Sequence, residues 1–387
     1  MQTSKGWRET KLGAVAGLDR VVVHPAAISH ESVYVGLEHV DPDGTIAYQT
    51  VAAGELRSAK FAFSGRHVLY GKLRPYLRKV GRPNTAGICS TDILPILVGP
   101  DLDRDYLFHW LRQPRIVSLA SARSDGVNLP RVSPKTLLGL PFSLPPLEEQ
   151  RRIATLLDKA VAVRRNQQES IRLLNELLQS AFLEMFGDLV RNDKGWDVAL
   201  LGELCEVQLG KMLSAKAHGG ADPIPYLRNA NVQWRRIDLS SVFEMDFSNT
   251  ELAKFDLRPG DLLVCEGGEV GRCAIWEGQL AKCSFQKALH RVRPRDSRIR
   301  IEYLQELLYS LAHAGALAKS TSKATIAHLT KVQLQQLRLP LPSEDLQDRF
   351  VRIYRSILQA RKRQELRLNH MNRLFESLSH QAFQMQR

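Results

Sequence analysis

Several stretches have the residue types of a reactive or phosphate-cradling site, and their spacing decides each case. GRHVLYGKL, from Gly65 to Leu73, sets five residues between its glycines where a nucleotide-cradling loop has four, and puts Leu after the Lys where a hydroxyl must hold the metal. CEGGEVG, from Cys265 to Gly271, is glycine-rich without G-x-G-x-x-G spacing. Pro42-Asp43 with Glu55-Leu56-Arg57 offers two carboxylates of a metal-dependent nuclease, but an arginine stands where a lysine would complete the set. There is no N-P-P-Y or D-P-P-Y tetrad for amino methylation, no H-E-x-x-H and no G-x-S-x-G. The 5 cysteines show no C-x-x-C pair, and the 11 histidines form no ligand cluster. The sequence therefore assigns this chain no catalytic residue, no metal site and no cofactor of its own.

Recognition chemistry is better represented. The net charge is +13 and 37 of the 54 basic residues are arginines. Arginine's planar fork matches phosphate oxygens and guanine edges, which favours nucleic acid over a membrane surface as the partner. The basic residues gather in polar stretches. KLRPYLRK supplies Lys72, Arg74, Tyr76, Arg78 and Lys79, and SARSDGVN supplies Arg123, Ser124 and Asn128. LRNANVQWRR supplies Arg228, Asn229, Asn231, Arg235 and Arg236, and AKSTSKAT supplies Lys319, Ser320, Thr321 and Lys323. These are the candidate DNA-binding residues, with Arg, Asn, Ser and Thr available to phosphates and base edges.

A repeat positions them. LPFSLPPLEEQRRIATLLDKAVAVRR, from Leu140, returns as LPLPSEDLQDRFVRIYRSILQARKR, from Leu339, and a register of 197 aligns Leu144-Pro145 with Leu341-Pro342 and Gln150 with Gln347. The same register superimposes SARSDGVN on AKSTSKAT. Upstream, Trp7 and Leu12-Gly13 answer Trp196 and Leu201-Gly202, and HVLYGKLRPYLRKVG answers DLLVCEGGEVGRCAI. The chain is two copies of one unit, each a stretch of mixed strand and loop signals followed by a long helix.

The helices carry heptad seams. Ile153, Leu157, Ala160, Arg164, Gln167, Ile171, Leu174 and Leu178 step by 4 and 3, and so do Phe350, Tyr354, Ile357, Arg361, Gln364, Leu368, Met371 and Phe375. Polar Arg-Gln interruptions fall at the same place in both, as expected where each helix is the other's partner and register must be fixed. Pro145-Pro146 before Glu148-Glu149, and Pro342-Ser343 before Glu344-Asp345, start the helices, and Gly187 stops the first. Connectivity then demands antiparallel pairing over a rod on the order of 50 Å at about 1.5 Å per residue. The expected fold is α+β, with two globular domains (1–146 and 188–343) at opposite ends of a two-helix coiled coil (147–187 and 344–387) in a pseudo-twofold internal repeat. VYVGLEHV, HVLYG, ILPILV, PIPYLRNANV and DLLVCEGG read as strands, DYLFHWLRQ and EYLQELLYSLAHA as short helices. The N-terminal MQTSKGWRETKLG has no apolar core of signal length and no run reaches membrane-span length, so the expected location is the cytoplasm.

The residues that carry the repeat resemble a known family, the specificity subunit of type I restriction-modification systems. LPLPSEDLQDRF and LPFSLPPLEEQRRIATLLD are similar to that family's repeated run into its long helices. The L-G opening of each unit, the G-D-L-L motif and the C-S-x-Q segment from Cys283 to Gln286 resemble its target-recognition domains. The first copy departs, with His67 for the Asp of G-D-L-L and Thr91-Asp92 for Phe-Gln, in keeping with the variability of regions that choose a target. The resemblance implies that each target-recognition domain reads half of a bipartite double-stranded DNA sequence while the helices set the unread spacer. It further implies two modification subunits that methylate adenine with S-adenosylmethionine, and restriction subunits that can join with ATP and Mg. A DNA-binding coiled-coil regulatory protein without a methyltransferase is the alternative, and co-purification with a methyltransferase separates the two.

Overall fold

The computed structural model describes residues 6–29, 31–52, 54–126, 128–212, 223–319 and 328–383. The chain forms two compact units: Met1–Gln168 with Leu366–Arg387, and Glu169–Glu365. This division cuts across the boundaries expected from sequence. The long helices span Leu147–Phe186 and Glu344–Ala382, and each gives one part to each unit.

In the first unit, Arg8–Lys11 pairs antiparallel with Pro141–Leu144, bringing the start of the unit to the strand that leads into the long helix. A four-stranded antiparallel sheet follows in the order Ala16–Leu18, Ile93–Val98, His67–Gly71, Val80–Gly81. A five-stranded sheet runs Val22–Val23, Lys60–Phe63, Gly87–Cys89, Ser32–Val35, Gln49–Val51, with one parallel pair, Ser32–Val35 beside Gly87–Cys89. The central strand ILPILV lacks polar alternation because both of its faces are covered. Leu94 and Ile96 join a core with Val68, Tyr70, Leu107 and Trp110, while Ile93 joins Leu69, Phe63 and Cys89 on the other side.

The second unit repeats this plan. Asp197–Leu200 pairs with Arg338–Leu341, and a four-stranded sheet runs Cys205–Leu209, Leu289–Pro294, Leu262–Cys265, Cys273–Ile275. The strand that alternates between two cores is here Leu262–Cys265, with Leu262 and Val264 facing the helices and Leu263 and Cys265 facing Trp276 and Phe285. The far side has diverged to a three-stranded sheet, Phe243–Met245, Ile224–Leu227, Ser284–Phe285, and a hairpin of Val232–Gln233 with Arg236–Ile237. The parallel pair survives as Ile224–Leu227 beside Ser284–Phe285.

The short helices form where expected, Arg104–Leu111 and Ile301–His313. Asp103 caps the first, accepting from the Asp105 and Tyr106 N–H groups. Acids fill the first turn of both long helices, and Gly187 ends the first with a left-handed φ of 75°.

The seam residues enter the unit cores. In the first unit Ile153 and Leu157 are buried with Leu107, Trp110 and Phe142, and Phe375 and Ala382 of the second long helix, with Phe383 just after it, pack on the same cluster. In the second unit Leu178, Phe182 and Phe186 share a core with Phe350, Tyr354 and Ile357, with Leu174 against it. Ile171, Leu368 and Met371 are half-buried. All 5 cysteines are buried free thiols. No helix among the described residues is long and apolar enough to cross a membrane.

Candidate nucleic-acid interface

The fold brings the two basic stretches of the first unit together. Leu73 forms a β-bridge with Arg131, the Arg74 N–H donates to the Pro130 carbonyl at 2.8 Å, and the Val132 N–H donates to the Lys72 carbonyl at 2.9 Å. Asp125 and Arg131 exchange backbone hydrogen bonds of 2.9 and 2.8 Å, which closes the loop carrying the exposed Asn128, and Arg123, exposed as well, caps the helix just before it. Ser124 turns its hydroxyl inward to the Ser121 carbonyl at 2.7 Å. Asp92 lies between the two stretches, 3.4 Å from Lys72 and 3.8 Å from Arg131.

KLRPYLRK is held in a strained turn. Pro75–Leu77 is a single 3-10 turn flanked by Arg74 and Arg78 in left-handed backbone, with φ of 50° and 55°. For residues with a Cβ this costs about 1–2 kcal/mol each. The turn lifts Arg74 and Tyr76 into solvent, Tyr76 with 53% of its surface exposed. Arg78 is half-buried, and its Nε has no hydrogen-bond partner.

Lys79 departs from the sequence expectation: its ammonium donates to the Leu37 carbonyl at 2.5 Å, a bond within the fold that anchors the neighbouring 3-10 turn. In the second unit Arg272 does the same work on the Asn229 carbonyl at 3.0 Å.

Two further expectations in the second unit are corrected. Asn231 is buried, its amide donating to the Asp238 and Ser241 carbonyls and its oxygen accepting from the Arg228 N–H. Arg235, 7% exposed, forks the Glu306 carboxylate at 2.6 and 2.5 Å and lies 4.0 Å from the Tyr309 ring centroid. Both are structural polar groups, buried because their hydrogen bonds are closed within the fold. Arg228 lies over Phe243 at 3.5 Å and donates to the Ser241 carbonyl, and Asn229 donates to the Gly267 carbonyl. Arg236 is exposed beside Asp238 at 3.4 Å. Lys319 ends the short helix Ala316–Lys319, while Ser320, Thr321 and Lys323 lie outside the described residues.

Two arginines of the first unit that sequence reasoning did not gather into its site stand near Arg78. Arg112 follows the helix Arg104–Leu111 as its C-cap, its guanidinium donates to the Val80 carbonyl at 3.4 Å and it lies 4.9 Å from the Phe108 ring centroid. Arg164, read from sequence as a polar seam position, lies 5.1 Å from the Phe375 ring centroid. Burial and the nearby Arg164 lower the pKa of Arg78, and burial, Arg78 and Arg164 hold Arg112 down to about 10, with Asp43 opposing. Their neighbours Arg82 and Arg165 take Asp158 and Asp43. Among the described residues, Arg78, Arg112 and Arg164 have no carboxylate in ion-pair contact.

A family model described as the type I restriction modification DNA specificity domain matches residues 81–178 and 193–367. The chain is similar to the specificity subunit of the type I restriction enzyme EcoDI of Escherichia coli, 32% identical over 143 residues, which is 36% of this chain and 32% of that protein. It is 22% identical to the EcoBI specificity subunit of Escherichia coli over 73% of this chain and 65% of that protein. The matches thus span about a third of the length of the first of these relatives and just under two thirds of the second. The S subunit of a type I restriction-modification system from M. genitalium shares the fold at a TM-score of 0.61 and 13% identity, covering 99% of this chain and 98% of that one. A chain solved in work on complex assembly and conformational transition of the type I R-M system gives 0.59 and 23%, covering 99% of both. The family model covers well over half of the sequence, and the chain belongs to the type I restriction modification DNA specificity family.

Proposed function

We propose that this chain is the non-catalytic specificity subunit of a type I restriction-modification complex acting on DNA in the cytoplasm. In this reading each unit reads one half of a bipartite duplex target. The first does so through Lys72, Arg74, Tyr76 and Arg78 with Arg123 and Asn128. The second does so through Arg228, Asn229 and Arg236 with the segment from Lys319 to Lys323. The long helices pair antiparallel as a coiled coil, fix the number of unread base pairs and dock two modification subunits. Those subunits bring adenine methylation and S-adenosylmethionine, and restriction subunits bring ATP- and Mg-dependent cleavage.

One observation carries the reading: a single chain holds two copies of one framework, with the same four-stranded sheet order in each. KLRPYLRK joins two strands of the shared sheet in the first unit, and LRNANVQWRR lies on the diverged side of the second. A duplicated reader on a fixed spacer addresses two half-sites, as dimeric readers do. The test is a genome-wide adenine-methylation map of a methylation-deficient host expressing this chain with a modification subunit. A split motif with a fixed gap, absent without this chain, is the expected result. No new methylation, with the partner soluble and bound, would refute the reading.

A further inference from the structure

The two copies treat their arginines differently. In the second unit three guanidinium groups are closed by acids: Arg235 by Glu306 at 2.5 Å, Arg361 by Glu365 at 3.4 Å, Arg272 by Glu269 at 3.3 Å. In the first unit the register of 197 puts His109 at the place of Glu306 and Gln168 at the place of Glu365, and it puts Arg112 at the place of Tyr309. At these three positions the first unit has two fewer acids and one more guanidinium than the second.

Arg78 makes the same point through its backbone. The strand ladders match Tyr70 with Val80 in one unit and Val264 with Cys273 in the other, so Arg78 falls on Gly271. Both are left-handed, with φ of 55° and 81°. Glycine adopts that conformation without steric cost, and arginine does not. Strain kept at a position where the other copy has relieved it points to a use for the side chain. Room for Arg112 is likewise provided: a Cβ on Gly44 would lie 2.5 Å from its Nη1.

We propose that Arg78, Arg112 and Arg164 form a phosphate site in the first unit, where the strained basic loop meets the first long helix, and that its occupant is a backbone phosphate of the bound duplex. Among the described residues these three half-buried guanidinium groups have no carboxylate in ion-pair contact, since Asp43, which acts on Arg112 from further off, pairs with Arg165; they repel one another until an anion arrives, and the guanidinium fork fits two phosphate oxygens. The DNA backbone is favoured as the source because Arg78 shares its turn with the exposed Arg74 and Tyr76. The long helix, through Arg164, is thereby part of the DNA-contacting surface.

The site rests on the DNA-reading function proposed above, and the two fail separately. Full-length wild type, Arg112→Gln and Arg164→Gln are titrated with salt in fluorescence anisotropy on a duplex carrying the mapped target and on a scrambled one. Each variant is expected to bind both duplexes more weakly, with the slope of log K against log salt shallower by about 0.9 and the preference for target unchanged. Slopes equal to wild type would overturn the site while leaving a normal methylation motif, and with it the function, intact. Arg112→Lys keeps the charge and is expected to retain slope; a loss equal to that of Arg112→Gln would mean that disturbed packing is being read and would overturn the site. Inorganic phosphate and ATP probe the other source of the same chemistry. Thermal stabilisation of wild type by either, abolished in Arg112→Gln and accompanied by unchanged DNA slopes, would assign the site to a free phosphate compound and overturn the DNA assignment.

Discussion

Gln150 and Gln347, 197 residues apart, make the same three hydrogen bonds. The Gln150 amide donates to the Asp101 and Pro145 carbonyls and its oxygen accepts from the Asp103 N–H; Gln347 uses Arg298, Pro342 and Arg300 alike. Each fully buried side chain ties the first turn of a long helix to the loop before a short one. Gln150→Leu or Gln347→Leu would strand three backbone groups, at about 1–3 kcal/mol for each group left without a partner. Denaturant unfolding should show losses of several kcal/mol that are alike for the two variants. A loss below about 1 kcal/mol in either would contradict the lock.

Arg235 and the Lys72–Arg78 turn should separate stability from binding. Arg235→Gln leaves Glu306 buried and unpaired, a loss of about 3–5 kcal/mol, while the salt slope of DNA binding stays as in wild type. Reversing Lys72, Arg74 and Arg78 to Glu should do the opposite, flattening the slope by about one for each lost phosphate contact with little change in unfolding. A triple variant with normal binding and slope would remove the turn from the interface.

Acid should weaken the first unit through His109. Burial lowers its pKa, outweighing the Asp158 carboxylate that raises it. The folded state therefore takes up its proton later than the unfolded chain does. Stability is whole above the ordinary value of 6.5 and falls as pH drops below it, by at most about 1.4 kcal/mol per pH unit for each histidine. His290, lowered chiefly by burial, adds in the same direction. Asp158 is half-buried, which by itself would raise its pKa, but hydrogen bonds from His109 and Arg82 hold it below 3.8, so its share is lost only in stronger acid. Urea unfolding between pH 7 and pH 5 should show the decline, and His109→Gln should make it shallower; an identical slope would exclude His109 as the source.

Inserting seven residues, one heptad, into each long helix should keep the seam in phase and lengthen the unread spacer of the methylated motif. Methylation mapping of the insertion variant reads the gap directly, and an unchanged gap would exclude the helices as the ruler.

The helices and the repeat were legible in the sequence because they rest on periodicity and register. Ile153 and Leu157, or Phe350 and Tyr354, are buried as their spacing requires. The site was legible only in part. Arg235 and Asn231 look like Arg236 and Asn229 in sequence, and only Glu306 and the Asp238 and Ser241 carbonyls, distant or across a hairpin, set them apart. Arg112 sits in an ordinary helix end, and nothing local shows that it will face Arg78 and Arg164. Residue type announces what a side chain can donate, whereas its freedom to do so depends on neighbours brought by the fold.

The four-stranded sheet common to both units has a core on each face. On the helix side the copies agree down to single bonds: Tyr106 donates to the Ser143 carbonyl and Tyr303 to the Pro340 carbonyl. On the other side one copy has a five-stranded sheet and the other a three-stranded sheet with a hairpin. The sheet works as a bulkhead. Substitutions, insertions and even new strands can be accommodated on its outer side without reaching the inner face, so in the proposed function a new address can be written there while the helix-side joints stay as they are.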